Sequence, residues 1–266
     1  MLNTTLFRRG MRGSVKMLVI FAAVLAMYFI IIVSMFDPTL GSALNELAKA
    51  MPELMAMVGM TASDATMISF MSAYLYGFVM LVFPMVFSIL CANRLVSGNV
   101  ERGSMAYLLA APVKRHSVAF TQMLVLVCGI AALTVYATVV GITACEISFP
   151  GELAIGSFLL LNVGVLCLHL FIGGICFLFS CLFSDTKYSI GFGAGIPALA
   201  FVIQMMVNAG EKLRNAKYAT FFTLFNPDGI AAGEAGAIGG VVVLFTGAVA
   251  LFSTAIAVFC KRDLHL

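Results

Sequence analysis

The sequence predicts an all-α integral membrane protein with six transmembrane helices and both termini cytoplasmic. Three observations predict it. Of 266 residues, 62% are hydrophobic and only 10% charged, with a mean hydropathy of +1.08. A soluble domain is near half apolar and a quarter charged, so that class is excluded. The 23 Phe and 17 Met residues exclude a disordered chain in the same way. The second observation is that the few charges cluster and leave six long stretches without any. The third is that the basic residues divide unevenly between the two sides those stretches define. The net charge of +3 is too small to indicate a nucleic-acid partner.

A charged side chain costs about 2.5 to 3.5 kcal/mol at the centre of a spanning helix, so charges mark the ends of spans. The stretches free of Asp, Glu, Lys and Arg are 17–36, 66–92, 117–145, 153–183, 189–209 and 236–260. Each reaches the roughly 20 residues a helix needs to cross the hydrocarbon. The fourth exceeds the bilayer thickness and either tilts or projects into water. The first is too long for a signal peptide and has no small-x-small site before Asp37-Pro38, so it is expected to stay as a span. Six crossings place both termini on one side. With that side cytoplasmic, 11 of the 15 basic residues lie inside and only Lys49, Lys212, Arg214 and Lys217 outside, as the positive-inside rule requires. Residues 1–266 therefore form a single transmembrane domain embedded in a lipid bilayer.

The connections have characters of their own. In residues 1–16, Arg8, Arg9, Arg12 and Lys16 share one helical arc, which predicts an amphipathic interfacial helix. It serves either as a topology anchor or as a docking element. Residues 37–65 carry Leu44, Leu47, Met51, Leu54, Met55 and Val58 as an apolar stripe, with Pro52 a break, and predict an outer lid-like helix. Segment 210–235 is too apolar for a free loop and too interrupted for a span. Tyr218, Phe221, Phe222 and Phe225 precede Asn226-Pro227-Asp228-Gly229, which predicts an outer re-entrant segment packed against protein.

Polar side chains within the spans are few. Asn162, His169, Gln204 and Asn208 are the candidates for a translocation pathway, and interhelical hydrogen bonding is the other explanation for Asn and Gln in membrane helices. His169 has no second His, Cys pair or carboxylate at a helical offset, so no metal site is predicted. It has no Ser motif to serve either, so no catalytic residue is predicted and an intramembrane enzyme is the weaker alternative. The seven cysteines lie in or at the ends of apolar spans without a C-x-x-C pair and suit small core hydrophobes. Gly191, Gly193 and Gly195 open a membrane helix instead of following a strand, so close helix contact explains them better than a nucleotide fingerprint. The pairs Gly229/Gly233 and Gly236/Gly240 admit the same explanation.

Between the second and third spans, residues 93–116 form a cytoplasmic loop containing GNVERGSMAYLLAAPVKR from Gly98 to Arg115. Gly98-x4-Gly103-Ser104 lacks the Lys of a P-loop and follows a membrane helix, so it is not an ATP site. The succession of Glu101, Gly103 and Ser104, then Leu108 and Leu109, then Pro112, Val113 and Arg115 resembles the hallmark loop of ABC type-2 permeases. A basic amphipathic start, the closing Phe259-Cys260-Lys261-Arg262-Asp263-Leu264, and six spans in this length extend the resemblance. The sequence departs from it at Asn99, where a second acidic residue is common, and at Ser104, where Thr is common.

The resemblance implies the fold of an ABC type-2 exporter permease in a bacterial cytoplasmic membrane. It implies that the loop is a coupling helix seated in a separate ABC ATPase subunit. Leu108 and Leu109 would be its apolar knob, Glu101, Arg102, Lys114 and Arg115 would pair at the rim, and Gly103 and Pro112 would set the bends. Asp185 and Lys187 in the next inner loop would supply a smaller second contact. The plainer reading is a re-entry loop whose charges only fix topology. No Walker A sequence occurs in the chain, so no cofactor is expected on it; ATP and Mg would sit on the partner ATPase. A second permease subunit, identical or homologous, would complete the pore. Export of a hydrophobic or amphipathic cargo such as a peptide, drug or lipid-like molecule is the expected function. A sodium or cofactor-maturation permease is the alternative within the family, and the absence of Asp or Glu at depth argues against an intramembrane sodium site.

Overall fold

The computed structural model describes residues 3–36, 50–51, 66–101, 103, 114–209 and 220–262. Helix α1 spans Thr4–Met35. The second membrane segment is composite: α2 (Met67–Met71), a π-helical stretch (Ser72–Val79), α3 (Met80–Leu95) and α4 (Ser97–Glu101). Then follow α5 (Arg115–Ser148), α6 (Ile155–Leu182), α7 (Thr186–Ala209), a 3-10 turn (Phe221–Leu224), α8 (Pro227–Ala231) and α9 (Ala235–Lys261). No strand occurs among the described residues. Among the described residues six helical stretches are long and apolar enough to cross a membrane, one for each charge-free stretch of the sequence.

Local signals start the helices where the chain supplies them. The Asn3 side chain accepts the Leu6 amide at 3.0 Å, and Asn226 accepts the Gly229 amide at 3.2 Å with Pro227 in the first turn. The segment read as an amphipathic interfacial helix, residues 1–16, runs from Thr4 onward without a break into the first span. The reason is packing. Leu6 is buried, the Asn3 amide donates to Thr121 Oγ1 at 3.1 Å, and a Cβ on Gly10 would lie 3.0 Å from Val125 Cγ2. The start of α1 is thus held against α5.

Helix α6 is the centre of the bundle. It packs most extensively on α9 and also touches α3, α7, α5 and α8. Where helices approach without a hydrophobic driving force between them, small residues allow contact. A Cβ on Gly174 would come within 3.0 Å of Leu251, and one on Gly247 within 2.7 Å of the Phe171 ring. The glycine runs contribute unevenly. Gly193 lies in ordinary contact with Cys176, whereas Gly191 and Gly195 meet nothing within 4 Å; Gly229 and Gly240 are tightly packed, whereas Gly233 and Gly236 are open.

Two prolines interrupt the helical hydrogen bonding, and α6 repairs both interruptions. Pro84 has no N–H for the Met80 carbonyl four residues earlier, and Pro197 none for the Gly193 carbonyl. The His169 Nε2 lies 2.7 Å from the Met80 oxygen, and the Cys176 thiol donates to the Gly193 oxygen at 3.2 Å. His169 and Cys176 are seven residues apart, two helical turns along one face of α6. Just before Met80 the π-helical stretch widens the second segment, with the Met80 amide reaching back to the Leu75 carbonyl. The segment is therefore irregular from Ser72 to Pro84.

Consecutive spans alternate in direction, giving two ends. The start of α1, the ends of α4, α6 and α9, and the starts of α5 and α7 share what is here termed the terminal end. At the opposite, distal end Phe36 stacks edge-on against Phe70 and Phe149, with centroids 5.5 and 5.2 Å apart. Residues 220–231 also lie there, packed against protein. Thr220 Oγ1 donates to the Ala200 carbonyl at 3.0 Å, Phe222, Phe225 and Ile230 are buried, and a Cβ on Gly240 would collide with the Leu224 carbonyl. The lid-like helix over 37–65, apart from residues 50–51, and segment 210–219 lie outside the described residues.

Candidate functional site

Of the residues expected to face an ATPase, the structure describes Glu101, Gly103, Arg115, Asp185 and Lys187, all at the terminal end. Glu101 closes α4 and is exposed in a groove of about 630 Å³ shared with Met17, Arg94 and Thr186. Gly103 follows at φ +68, a left-handed conformation that costs a side-chain-bearing residue about 1 kcal/mol or more, and its amide closes onto the Val100 carbonyl at 2.9 Å. Arg102, Ser104, Leu108, Leu109 and Pro112 lie outside the described residues. Asp185 caps α7, its Oδ1 accepting the Lys187 amide at 2.7 Å and its carbonyl the Ser189 amide at 3.1 Å; both Asp185 and Lys187 are exposed.

Beneath these loops the helix ends are tied by side chains. Arg115 Nη1 donates to the Arg262 carbonyl at 2.7 Å. The Arg262 guanidinium in turn donates to the Cys181 carbonyl at 3.0 Å and to Ser184 Oγ. Cys181 belongs to the last turn of α6, whose carbonyls have no helical donor, and a cation is favoured there by the helix dipole. Partial burial pulls the Arg262 pKa down from its ordinary value. One residue thus joins the start of α5, the end of α6 and the end of α9. A serine cluster adds a second tie: Ser97 and Ser180 both lie 3.0 Å from Ser189 Oγ, linking α4, α6 and α7. Arg94 donates to the Gly13 carbonyl and secures α1 to α3.

At the distal end the four intramembrane candidates divide. Gln204 and Asn208 line a cavity of about 380 Å³ between the π-helical stretch, the end of α7 and segment 222–228. Gln204 Nε2 donates to Asn208 Oδ1, and Thr223 Oγ1 donates to Gln204 Oε1, both at 3.0 Å. Across the cavity the buried Ser72 hydroxyl donates to Asp228 Oδ1 at 2.6 Å, joining the second segment to α8. Asp228 and Asn226 are exposed at the mouth, while Tyr76, Phe222 and Phe225 are buried along the wall.

His169 and Asn162 lie elsewhere. His169 is fully buried, and because a carbonyl can only accept, Nε2 carries the hydrogen bonded to Met80 and Nδ1 is left as an unpaired acceptor. Asn162 Nδ2 donates to the Phe158 carbonyl of its own helix at 2.8 Å; its carboxamide lies beside the Tyr76 hydroxyl, and neither that hydroxyl nor Asn162 Oδ1 forms a hydrogen bond of good geometry. Among the described residues no three His, Cys, Asp or Glu side chains converge as metal ligands would. Asp228 is absent from the sequence-derived candidates because Ser72 stands 156 positions away. The Asn-Pro-Asp-Gly run signals a turn or helix start and reveals nothing of what faces it.

The family model described as "ABC-2 family transporter protein" matches residues 7–230, well over half of the chain. No curated protein matches. The match covers five of the six long helices, both irregular proline segments and the Gly98–Arg115 pattern. This chain therefore belongs to the ABC-2 family of transporter proteins, as a multi-pass membrane permease subunit of an ABC transporter.

Proposed function

We propose that this permease subunit exports a hydrophobic or amphipathic cargo, such as a peptide, drug or lipid-like molecule, out of the cytoplasm. It does so in a bacterial cytoplasmic membrane, with both termini inside, driven by a separate ABC ATPase subunit that binds ATP and Mg. The observation that carries this reading is the Gly98–Arg115 pattern in a chain of the ABC-2 family that contains no Walker A sequence. The 11-to-4 division of basic residues supports the orientation.

In this reading Leu108 and Leu109 seat in the ATPase, with Glu101, Arg102, Ser104, Pro112 and Arg115 shaping and rimming the contact and Asp185 and Lys187 adding a second. ATP-driven closure of the ATPase dimer displaces these loops, and the helices tied to them switch between inward- and outward-facing arrangements. A second permease subunit faces the first. Gln204 and Asn208 meet cargo at the distal, outer end, whereas His169 and Asn162 hold helices together.

The test is co-purification. Replacing both Leu108 and Leu109 with Asp is expected to release the ATPase subunit while the permease stays inserted and monodisperse. Retention of the ATPase by the double variant would overturn the coupling reading.

A further inference from the structure

We propose that the distal cavity is a binding site for an organic cation, receiving the ammonium or guanidinium end of an amphipathic molecule with Asp228 as its counter-charge. The cavity's volume of about 380 Å³ falls within the range of small-molecule sites. Its polar groups come from three separate parts of the chain: Ser72 from the second membrane segment, Gln204 and Asn208 from α7, and Asn226 and Asp228 from the segment before α9. The fold brings together residues that sequence separation would scatter.

The chemistry is asymmetric in a way that selects charge. Among the described residues that line the cavity, Asp228 is the one ionisable carboxylate and there is no Lys or Arg. Ser72 occupies Asp228 Oδ1 and so orients the carboxylate; among the described residues Oδ2 receives no hydrogen bond. A cleft carrying one sign of charge between low-dielectric walls concentrates the opposite charge, so a cation is drawn in and an anion repelled. The walls set the rest of the ligand. Tyr76, Phe222 and Phe225 back the lining from buried positions and, with Leu81, make the wall largely apolar, which suits an apolar body. With the acid at the exposed mouth and aromatics behind, the cavity matches an amphiphile whose charged end stays at the rim. A bare metal ion fits less well, since it needs several oxygens converging at about 2.0 to 2.6 Å and the carboxamide oxygens of Gln204, Asn208 and Asn226 already accept hydrogen bonds from the protein.

The inference deepens the export reading by giving the cargo a cationic end, but binding itself requires no ATPase. The chain is reconstituted in discs of uncharged phosphatidylcholine and titrated with radiolabelled decyltrimethylammonium, with empty discs subtracted for partition into lipid. Saturable binding is expected, displaced by other decyl ammonium compounds and not by decyl maltoside or decyl sulfate. Asp228→Asn, which keeps an acceptor for Ser72, should weaken binding about tenfold or more, while Asp228→Glu should retain most of it. A thermal-unfolding curve close to wild type shows that Asp228→Asn is folded; should it unfold, Asn208→Leu and Phe225→Ala must weaken the same binding.

Equal binding by wild type and a folded Asp228→Asn overturns the proposal. So does equal competition by the uncharged and anionic amphiphiles, or displacement by millimolar sodium, which would assign the site to an inorganic ion. The co-purification test with Leu108 and Leu109 separates the two readings. Charge-selective binding beside a failed ATPase release removes the export reading alone, and ATPase release without charge-selective binding removes the cation site alone.

Discussion

The imidazole of His169 stands in for a missing backbone donor: its Nε2 lies 2.7 Å from the Met80 carbonyl, which Pro84 leaves without a helical partner. A buried carbonyl stripped of its donor costs about 1 to 3 kcal/mol, and more where no water reaches it. The Cys176 thiol plays the same part for the carbonyl that Pro197 frees, more weakly because S–H is a poor donor. This gives His169, in the middle of a membrane helix, a structural role as donor to a freed carbonyl.

His169→Leu is therefore expected to destabilise the protein by about 1 to 3 kcal/mol. In a Pro84→Ala background, where an amide is restored four residues after Met80, the same substitution should cost markedly less. Thermal unfolding of the four proteins in one detergent closes the double-mutant cycle. Additive losses would show that His169 does not act on the Met80 carbonyl.

Arg262→Gln removes the guanidinium that bonds the Cys181 carbonyl and Ser184. In the permease–ATPase complex, transport is expected to fall several-fold while ATP hydrolysis persists, because loop displacement no longer reaches α6 and α9 together. Paired transport and ATPase assays measure the split. Arg262→Lys should rescue only in part, since an ammonium cannot span both acceptors as a fork does. Equal loss of hydrolysis and transport would point to a failed ATPase contact instead.

Gly240→Val places a side chain where the Leu224 carbonyl stands, and backbone cannot step aside as a side chain can. A loss of about 1 to 3 kcal/mol or more is expected. Gly236→Val, one turn earlier and facing open space, serves as the control and should be near neutral. Comparable melting temperatures for the two variants would contradict the packing described.

Transport should be independent of external sodium, because the six charge-free stretches place no carboxylate at membrane depth. Replacing sodium with potassium in proteoliposomes ought to leave flux unchanged. A stoichiometric sodium requirement would reverse this and favour a sodium permease.

Much of the architecture was legible in the sequence because the energetic cost of a buried charge is large and local. That cost set six spans, and the described residues hold six long apolar helical stretches at those places. What escaped was everything decided across space. Pro84 and Pro197 are visible as letters, but that His169 and Cys176 would face the carbonyls they free depends on how α6 rotates against two neighbours. The π-helical stretch has no sequence mark of its own. Gly193 and Gly195 look alike in the chain, yet only Gly193 meets another helix. Residues 1–16 carry a basic arc, but how they pack depends on Thr121 and Val125 on a helix a hundred residues away. Gln204 and Asn208 were singled out as polar letters in an apolar run, whereas Asp228, exposed in a turn-like motif, was not.

The knot at Arg262 also bears on how the molecule can be cut and handled. Trimming the chain after Lys261 would delete only five amino acids, yet it would remove the polar tie that α5, α6 and α9 share at this end, leaving only their apolar packing to hold them. Fusion tags and reporters are best appended beyond this arginine, and a short deletion there would test that tie without touching the bundle's lipid-facing surface.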